Sequence, residues 1–215
     1  MNFKKVNWVY FAVFCLVVTF FTVGIYFYHL MPKFMASHWN IKGMADNFTP
    51  KFWGLFLMPV IASIVAALLI YLPKIDPLKA NVAKFAKYYQ GLILLVIVFL
   101  FYVYLLTIAW NLGNQFNFIR DFSPAFAVLL FGIGYILPKT KRNWFIGIRT
   151  PWTLATDTNW EKTHQVGGTL FKFSAIVAVF GAVIPSAAIY LLVIPILAST
   201  VYVFYYSYKI SKRVN

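Results

Sequence analysis

Six long stretches without charge divide this chain, and they constrain its fold more than any other feature. They cover residues 7–28, 52–73, 89–112, 122–138, 169–184 and 186–208. Of the 24 charged residues (19 Lys and Arg, 5 Asp and Glu), 23 lie outside these stretches, and the exception is Lys172. A charge at the centre of a bilayer costs about 2.5–3.5 kcal/mol or more. Since about 20 apolar residues cross the hydrocarbon core as a helix, the distribution predicts six transmembrane helices.

The composition of the chain excludes most other protein classes. Hydrophobic residues make up 62% of it and charged residues 11%, whereas soluble domains carry about 25% charged residues. So few charges cannot cover a water-exposed surface, and the one cysteine, Cys15, cannot form a disulfide framework. We therefore expect an all-α, polytopic integral membrane protein.

The basic residues predict the orientation of the six helices. With six crossings both termini share one side, which receives 14 of the 19 Lys and Arg residues, against four on the other side. Lys and Arg in short loops favour the cytoplasm, so both termini are expected to be cytoplasmic. Anionic inner-leaflet lipids suit such loops, and the net charge of +14 does not require a nucleic-acid partner. The inner residues are Lys4, Lys5, Lys74, Lys79, Lys84, Lys87, Lys139, Lys141, Arg142, Arg149, Lys162, Lys209, Lys212 and Arg213, and the outer residues are Lys33, Lys42, Lys51 and Arg120.

Two arrangements remain for the last two stretches, because only Pro185 and Ser186 lie where they meet. Either they form a helical hairpin with almost no loop, or they form one very long kinked helix. The charge bias favours the hairpin, because five crossings would place the basic C-terminal tail outside. We divide the membrane domain into residues 1–87, a helix pair with its loops, and residues 88–215, a four-helix part. The first stretch is followed by no small-residue cleavage site, so it is predicted to be an uncleaved anchor.

The outer loop, residues 31–51, is rich in turn-forming and polar residues. His38 and Asp46 could form a metal or proton site, although two ligands fall short of the four that structural zinc takes. The alternative is an ordered interfacial loop, in which Trp39 packs at headgroup level and His38, Asn40 and Asp46 hold the turn by hydrogen bonds. We expect this second arrangement, without a metal, and a ligand-binding surface at His38, Trp39, Asn40, Gly43 and Asp46.

The inner loop, residues 139–168, is the most polar and tryptophan-rich part of the chain. Trp144, Trp152 and Trp160 recur every eight residues, which is typical of a segment that lies on the membrane interface or re-enters it. Residues 158–161 have the spacing of a capping box, which predicts that a helix begins there.

Two further features of the inner loop leave alternatives open. Gly167 and Gly168 allow the close approach of a neighbouring helix, or they mark a kink. Arg149 is expected either to pair with Glu161 or Asp157 and fix the loop, or to act as a recognition arginine.

Lys172 is the only charge within the six stretches, and we expect it to extend toward the inner interface. The alternative is a functional intramembrane charge, but no carboxylate in the stretches could pair with it. The lack of such carboxylates also disfavours an ion-coupled carrier. His29, His38 and His164 are scattered, and no triad of catalytic residues is recognisable, so we expect no enzyme activity and no cofactor.

Two segments of the chain resemble known families. The outer segment from Pro32 to Asp46 is similar to the extracytoplasmic box of a domain of unknown function, DUF1648, common in small bacterial membrane proteins. The inner segment closely resembles the signature of the SdpI family, the immunity proteins for the secreted sporulation-delaying toxin of bacilli. The residues that carry this resemblance are Asn143, Gly147, Ile148, Arg149, Thr150, Pro151, Trp152, Thr153, Leu154, Trp160, Thr163, His164, Gly167 and Gly168, with Asp76, Pro77 and Asn81 in the first inner loop.

The resemblance implies a multi-pass protein of the bacterial plasma membrane that protects the cell against a secreted antimicrobial peptide toxin. In that family the immunity protein can also act as a toxin receptor that holds a cytoplasmic transcriptional repressor at the membrane. The implied partners are therefore membrane lipid, a peptide toxin and a repressor. The alternatives are a small transporter or lipid- or peptide-handling protein, and a headgroup enzyme that uses His164 and Glu161.

Overall fold

The computed structural model describes residues 7–214, with side chains from residue 8 to residue 212. It is mostly helical, and the six helices predicted from the sequence are present, each long and apolar enough to cross a membrane. This confirms the predicted fold class. Lys4 and Lys5, which we assigned to the inner side, lie outside the described residues. The helices are α1 (Asn7–Phe27), α2 (Lys51–Ile75), α4 (Ala86–Asn111), α5 (Phe118–Ile136), α7 (Asp157–Val179) and α8 (Ala188–Val214).

Shorter elements connect the long helices. The strands β1 (Phe34–Trp39) and β2 (Ala45–Pro50) lie between α1 and α2, and the helices α3 (Lys79–Lys84) and α6 (Pro151–Ala155) lie on the opposite side of the bundle. Helices α7 and α8 are joined by two 3₁₀ turns, Phe180–Ala182 and Pro185–Ala187, and pack against each other. The predicted helical hairpin is therefore confirmed, and a single long kinked helix is excluded.

The outer loop contains regular structure that the sequence did not indicate. Strands β1 and β2 pair antiparallel, with Met35 opposite Thr49 and Ala36 opposite Phe48. We call residues 34–50 the outer hairpin, and residues 143–168 the inner box, after the predicted orientation. The predicted ordered loop thus includes a strand pair, in which β1 packs on α2 and α4.

The helices pack in two groups. The first group buries a core between α1, α2 and α4 that includes Phe20, Leu55, Ile93 and Ile97. The second group is formed by α5, α7 and α8.

Two glycines bring α5 and α7 close together. A Cβ atom on Gly168 would lie 2.6 Å from the carbonyl oxygen of Gly134, and one on Gly134 would lie 2.8 Å from that of Gly168. Small residues let helix backbones approach in this way. Helix α7 continues through Gly167 and Gly168, and Gly168 has the predicted role of allowing a neighbouring helix to approach.

The orientation remains a prediction that labelling can test. Lys42 lies in the outer hairpin and Arg149 in the inner box, and both side chains are exposed. In a Cys15→Ser background we expect a membrane-impermeant thiol reagent to label Lys42→Cys in intact cells and to spare Arg149→Cys. Permeabilised cells, in which both sites should react, provide the control. Labelling of Arg149→Cys alone in intact cells would contradict the charge argument.

Candidate functional site

The outer hairpin is fixed to the helix bundle by the side chain of Asn111, the last residue of α4. Its Oδ1 accepts a hydrogen bond from the Ala36 amide at 2.7 Å, and its Nδ2 donates to the Ala36 carbonyl at 3.1 Å. This amide side chain thus pairs with the free edge of β1 as a neighbouring strand would. These two hydrogen bonds anchor the hairpin on the end of α4.

The tip of the outer hairpin is fixed by the segment that leads into α5. Asn117 Nδ2 donates to the carbonyl of Lys42 at 2.9 Å, and the Phe118 amide donates to the carbonyl of Gly43 at 3.2 Å. Gly43 has a φ of +73°, and a Cβ atom there would collide with the side chain of Asn117. Gly43 is therefore required for the turn and for its docking, which gives this predicted residue a structural role.

The polar residues predicted at this loop do hold the turn. His38 Nδ1 and Asp46 Oδ1 lie 2.6 Å apart across the two strands. Asn40 Oδ1 accepts from the amides of Lys42 and Met44, at 2.9 and 3.2 Å. This matches the predicted hydrogen-bonded arrangement. Within residues 7–214, no group of three or more His, Cys, Asp or Glu residues is close enough to bind a metal ion.

Trp39 packs within the protein. Its ring stacks on Phe118 at a centroid distance of 3.8 Å and meets the edge of Trp110 at 5.9 Å. The side chains that face outward from the hairpin are apolar instead, and sequence reasoning did not select them. They are Phe34, Ile41, Met44 and Phe48, each more than half exposed.

Both edges of the outer hairpin are blocked against a third strand. On β1, the side chain of Asn111 already bonds the amide and the carbonyl of Ala36. On β2, the Phe48 amide donates to Asn47 Oδ1 at 2.8 Å, and Pro50 has no amide hydrogen to offer. Such devices prevent strand addition at sheet edges. A peptide that binds here must therefore contact side chains of the hairpin.

At the other end of the bundle, Asp76 joins the two inner loops. It follows the last residue of α2, and only 2% of its surface is exposed. Oδ1 accepts from the Leu78 amide at 2.6 Å, and Oδ2 accepts from the Trp144 amide at 2.9 Å. Asn81 adds a second connection, because its Nδ2 donates to the Arg142 carbonyl at 3.0 Å. Pro77 is exposed and only continues the turn.

Asn143 organises the first turn of the inner box from within. Its side chain is fully buried and makes four hydrogen bonds. Nδ2 donates to the carbonyls of Lys141 and Ile146, at 2.8 and 2.9 Å, and Oδ1 accepts from the amides of Phe145 and Ile146, at 3.0 and 2.7 Å. Every hydrogen-bonding position of the amide side chain is satisfied. Asn143 thus replaces the regular backbone pairing that this turn lacks.

The ring of His164 fixes the next part of the inner box. Nε2 accepts from the Ile148 amide at 2.9 Å, so the proton lies on Nδ1, which donates to the Trp160 carbonyl at 2.7 Å. The neutral ring stacks on Trp160 at 4.0 Å, and both side chains are fully buried. Gly147, with a φ of +112°, leaves space for this ring. His164 therefore has a structural role here, with both ring nitrogens in hydrogen bonds to the backbone.

Threonines connect the inner box to α8. Thr150 and Thr153 form a capping box at the start of α6, where Pro151 takes the first helical position. Thr150 Oγ1 donates to Ser207 Oγ at 3.1 Å. Trp152 lies beside the same helix, with its ring 5.3 Å from Phe204 and 5.0 Å from Tyr208. This packing places α6 against the inner end of α8.

Two sequence predictions about the inner box were wrong. Helix α7 begins at Asp157 with Thr156 as its N-cap, two residues before the predicted capping box, because Thr156 accepts from the Asn159 amide. Arg149 does not pair with Glu161 or Asp157 in the structure. Glu161 pairs with Lys141 at 2.7 Å, and Asp157 pairs with Arg142 at 2.7 Å.

Arg142, not Arg149, holds the inner box together. Its Nη1 donates to the carbonyls of Leu154 and Ala155, at 2.9 and 3.2 Å, which are the last two residues of α6. Arginine suits the free carbonyls at a helix C-terminus. Arg149 is exposed and makes one hydrogen bond, from Nη1 to the Trp144 carbonyl at 2.9 Å.

Sequence reasoning also missed residues that fix the loops, and some carried a recognisable signal. Asn117 directly precedes a helix and accepts from the Arg120 amide, which is the usual signature of an N-cap. Thr140 accepts from Trp160 Nε1 at 3.2 Å, and Asn159 donates to the Ser207 carbonyl at 2.8 Å. These last two partners are far apart in sequence, so no local pattern indicates them.

The two arginines provide a matched test of this arrangement. We expect Arg142→Ala to lower the free energy of unfolding by about 2 kcal/mol, because two carbonyls at the end of α6 lose a charged donor. The exposed pair with Asp157 adds little to this effect. Arg149→Ala should change stability by less than about 0.5 kcal/mol. Chemical unfolding of both variants in the same detergent measures the difference, and equal losses would contradict the assignment.

Two family models match separate parts of the chain. Residues 139–207 match the model of the SdpI/YfhL protein family, and residues 15–63 match that of a domain of unknown function, DUF1648. The first match covers the inner box and most of α8, and the second covers the outer hairpin with parts of α1 and α2. No curated protein and no solved structure gives a significant match.

Proposed function

We propose that this protein protects its cell against a secreted antimicrobial peptide toxin. The reason is the match of residues 139–207 to the SdpI/YfhL protein family. The family is one of membrane immunity proteins. The match to its model is the observation that carries the proposal. The six helices that can cross a membrane would hold the protein where such a toxin acts, and the ordered outer hairpin offers a surface that it can contact.

The outer hairpin is the surface that we assign to the toxin. Phe34, Ile41, Met44 and Phe48 offer exposed apolar area, and each such side chain contributes about 1.5–3 kcal/mol when it is fully buried. The exposed Lys42 offers a charged contact beside them. An amphipathic peptide has both kinds of surface. Because the strand edges are blocked, recognition depends on these side chains.

Protection of a toxin-sensitive host tests this assignment. We expect the double variant Ile41→Ser and Met44→Ser to lose most of its protection, about ten-fold or more, because two apolar contacts at the tip are removed. Asp46→Ala should weaken protection less, since it removes only the partner of His38. The measurement is the toxin concentration that halves growth, at equal amounts of membrane-inserted protein.

The control variant is Gln115→Ala. Gln115 is an exposed residue between α4 and α5, and its side chain has no role in the proposed binding surface. It should protect as well as the unmodified chain. Full protection by the Ser double variant, with normal insertion, would remove the hairpin as the binding surface. Trp39→Ala is unsuitable for this purpose, because it removes the packing on Phe118.

The exposed part of the inner box is the surface that we assign to a cytoplasmic repressor. Arg149 is exposed, and its guanidinium is bonded to the carbonyl of Trp144, whose ring is 49% exposed. Arginine and tryptophan are the residues that most often dominate binding energy in protein interfaces. Apart from this one hydrogen bond of Arg149, the bonds that hold the loop come from other side chains, such as Asn143 and His164.

We expect Arg149→Ala to abolish recruitment of the repressor to the membrane while toxin protection is kept. Recruitment is measured by the membrane-bound fraction of a fluorescent repressor after toxin is added. Lys162→Ala, an exposed basic residue on α7, is the matched control. Loss of protection and recruitment together in Arg149→Ala would indicate a folding defect and contradict the assignment.

A further inference from the structure

Two prolines interrupt the hydrogen bonding of α2 within the membrane. Pro59 and Pro73 lack the amide hydrogen that would bond to the carbonyl four residues earlier. These carbonyls belong to Leu55 and Leu69. A carbonyl without a donor is costly in lipid, where water is not present to replace it. Each proline therefore creates a position that needs a donor from another helix.

A tyrosine of α4 supplies the donor for the carbonyl freed by Pro73. The hydroxyl of Tyr89 donates to the carbonyl oxygen of Leu69, and Tyr89 is only 3% exposed. The inner proline of α2 is thus compensated by a hydrogen bond from the neighbouring helix.

Tyr104 occupies the equivalent place beside the outer proline. It lies 15 residues after Tyr89 on α4, and Leu55 lies 14 residues before Leu69 on α2, as expected for helices that run in opposite directions. The Tyr104 hydroxyl and the Leu55 carbonyl oxygen lie 2.8 and 3.5 Å from one point, where a Cβ atom on Gly24 would sit. Yet the buried Tyr104 hydroxyl has no hydrogen-bond partner among the residues that the structure describes.

The part of α2 before Pro59 is directly connected to the outer hairpin. Helix α2 begins at Lys51 directly after β2, with no connecting residue. The fully buried Met35 of β1 packs against Gly54, where a Cβ atom would lie 2.9 Å from its sulfur. A change of the bend at Pro59 would therefore tilt the hairpin about its anchors at Asn111 and Asn117.

We propose that Tyr104 and the Leu55 carbonyl form a latch that opens and closes as α2 bends at Pro59. In the described structure the Tyr104 hydroxyl lies near the Leu55 carbonyl and makes no hydrogen bond, which we assign to the open state. In the closed state the Tyr104 hydroxyl donates to Leu55, as the Tyr89 hydroxyl already does to Leu69. Both unmatched polar groups are then satisfied, and the hairpin takes a second position.

The latch has a role in protection that rests on the proposed function. A ligand that binds one position of the hairpin more tightly shifts the population toward it. We expect the toxin to be such a ligand. The hydrogen bond from Tyr89 to Leu69 keeps the inner part of α2 in place during this change. The bend thus changes the outer face and leaves the position of Asp76 unchanged.

Distances between spin labels in lipid nanodiscs test the latch without any toxin. One label is attached at Lys42→Cys in the hairpin and the other at Lys209→Cys on α8, both exposed, in a Cys15→Ser background. We expect two distance populations, or one that corresponds to the closed state. Tyr104→Phe should leave only the open distance, because it removes the hydroxyl and keeps the ring that stacks on Phe20.

Pro59→Ala provides a second, independent variant. It restores the amide that bonds to the Leu55 carbonyl within α2, so it should give one distance population. Adding Tyr104→Phe to this variant should not change that population. Tyr89→Phe is the matched control, since it removes a tyrosine hydroxyl from the same helix and should keep the outer distribution of the parent. An identical distribution in the parent and in Tyr104→Phe would overturn the latch. Failure of protection with a responsive latch would overturn the proposed function alone.

Discussion

Water is excluded from most of the surroundings of this chain, so each buried polar group must find its partner within the protein. The inner box follows this rule closely. The carboxylate of Asp76 and the amide of Asn143 satisfy backbone groups that no regular element pairs. The irregular part of the inner box, before α6, is thereby held in place by side chains. The arrangement of both ends of the bundle depends on the same requirement, because Asn111 and Asn117 meet it for the outer hairpin.

The two ends are also connected through the same helices. Helix α2 begins where β2 ends and finishes at Asp76, and α5 begins at Asn117 and leads to Thr140, which holds Trp160. Either helix therefore carries a contact to the outer hairpin at one end and a contact to the inner box at the other. Helix α2 contains two prolines along this route, Pro59 and Pro73, and the hydroxyl of Tyr104 on α4, which has no hydrogen-bond partner among the described residues, lies near the first of them. The outer part of α2 is therefore where we place the capacity for change.

The sequence predicted the six helices because the cost of a charge in lipid is a local property of each stretch. The outer hairpin escaped prediction, since Met35 and Ala36 are buried by α2 and α4, which follow later in the chain. The inner box was located from its residues, but the pairing with Asp157 that was expected as one possibility for Arg149 is made by Arg142. The arginine that bonds the last carbonyls of α6 is determined by the position of that helix end in the fold, which the sequence does not show. Likewise, Pro59 and Pro73 are visible in the sequence, whereas their tyrosine partners depend on the register of two helices.

The blocked edges of the hairpin matter for a protein that is crowded among copies of itself. An unprotected two-stranded ribbon on a cell surface can serve as a template on which neighbouring chains extend one continuous sheet. Here the side chains of Asn111 and Asn47, together with Pro50, close the positions at which growth would start. At Ala36, Phe48 and Pro50 these strands therefore offer no free backbone group with which a neighbouring copy could pair.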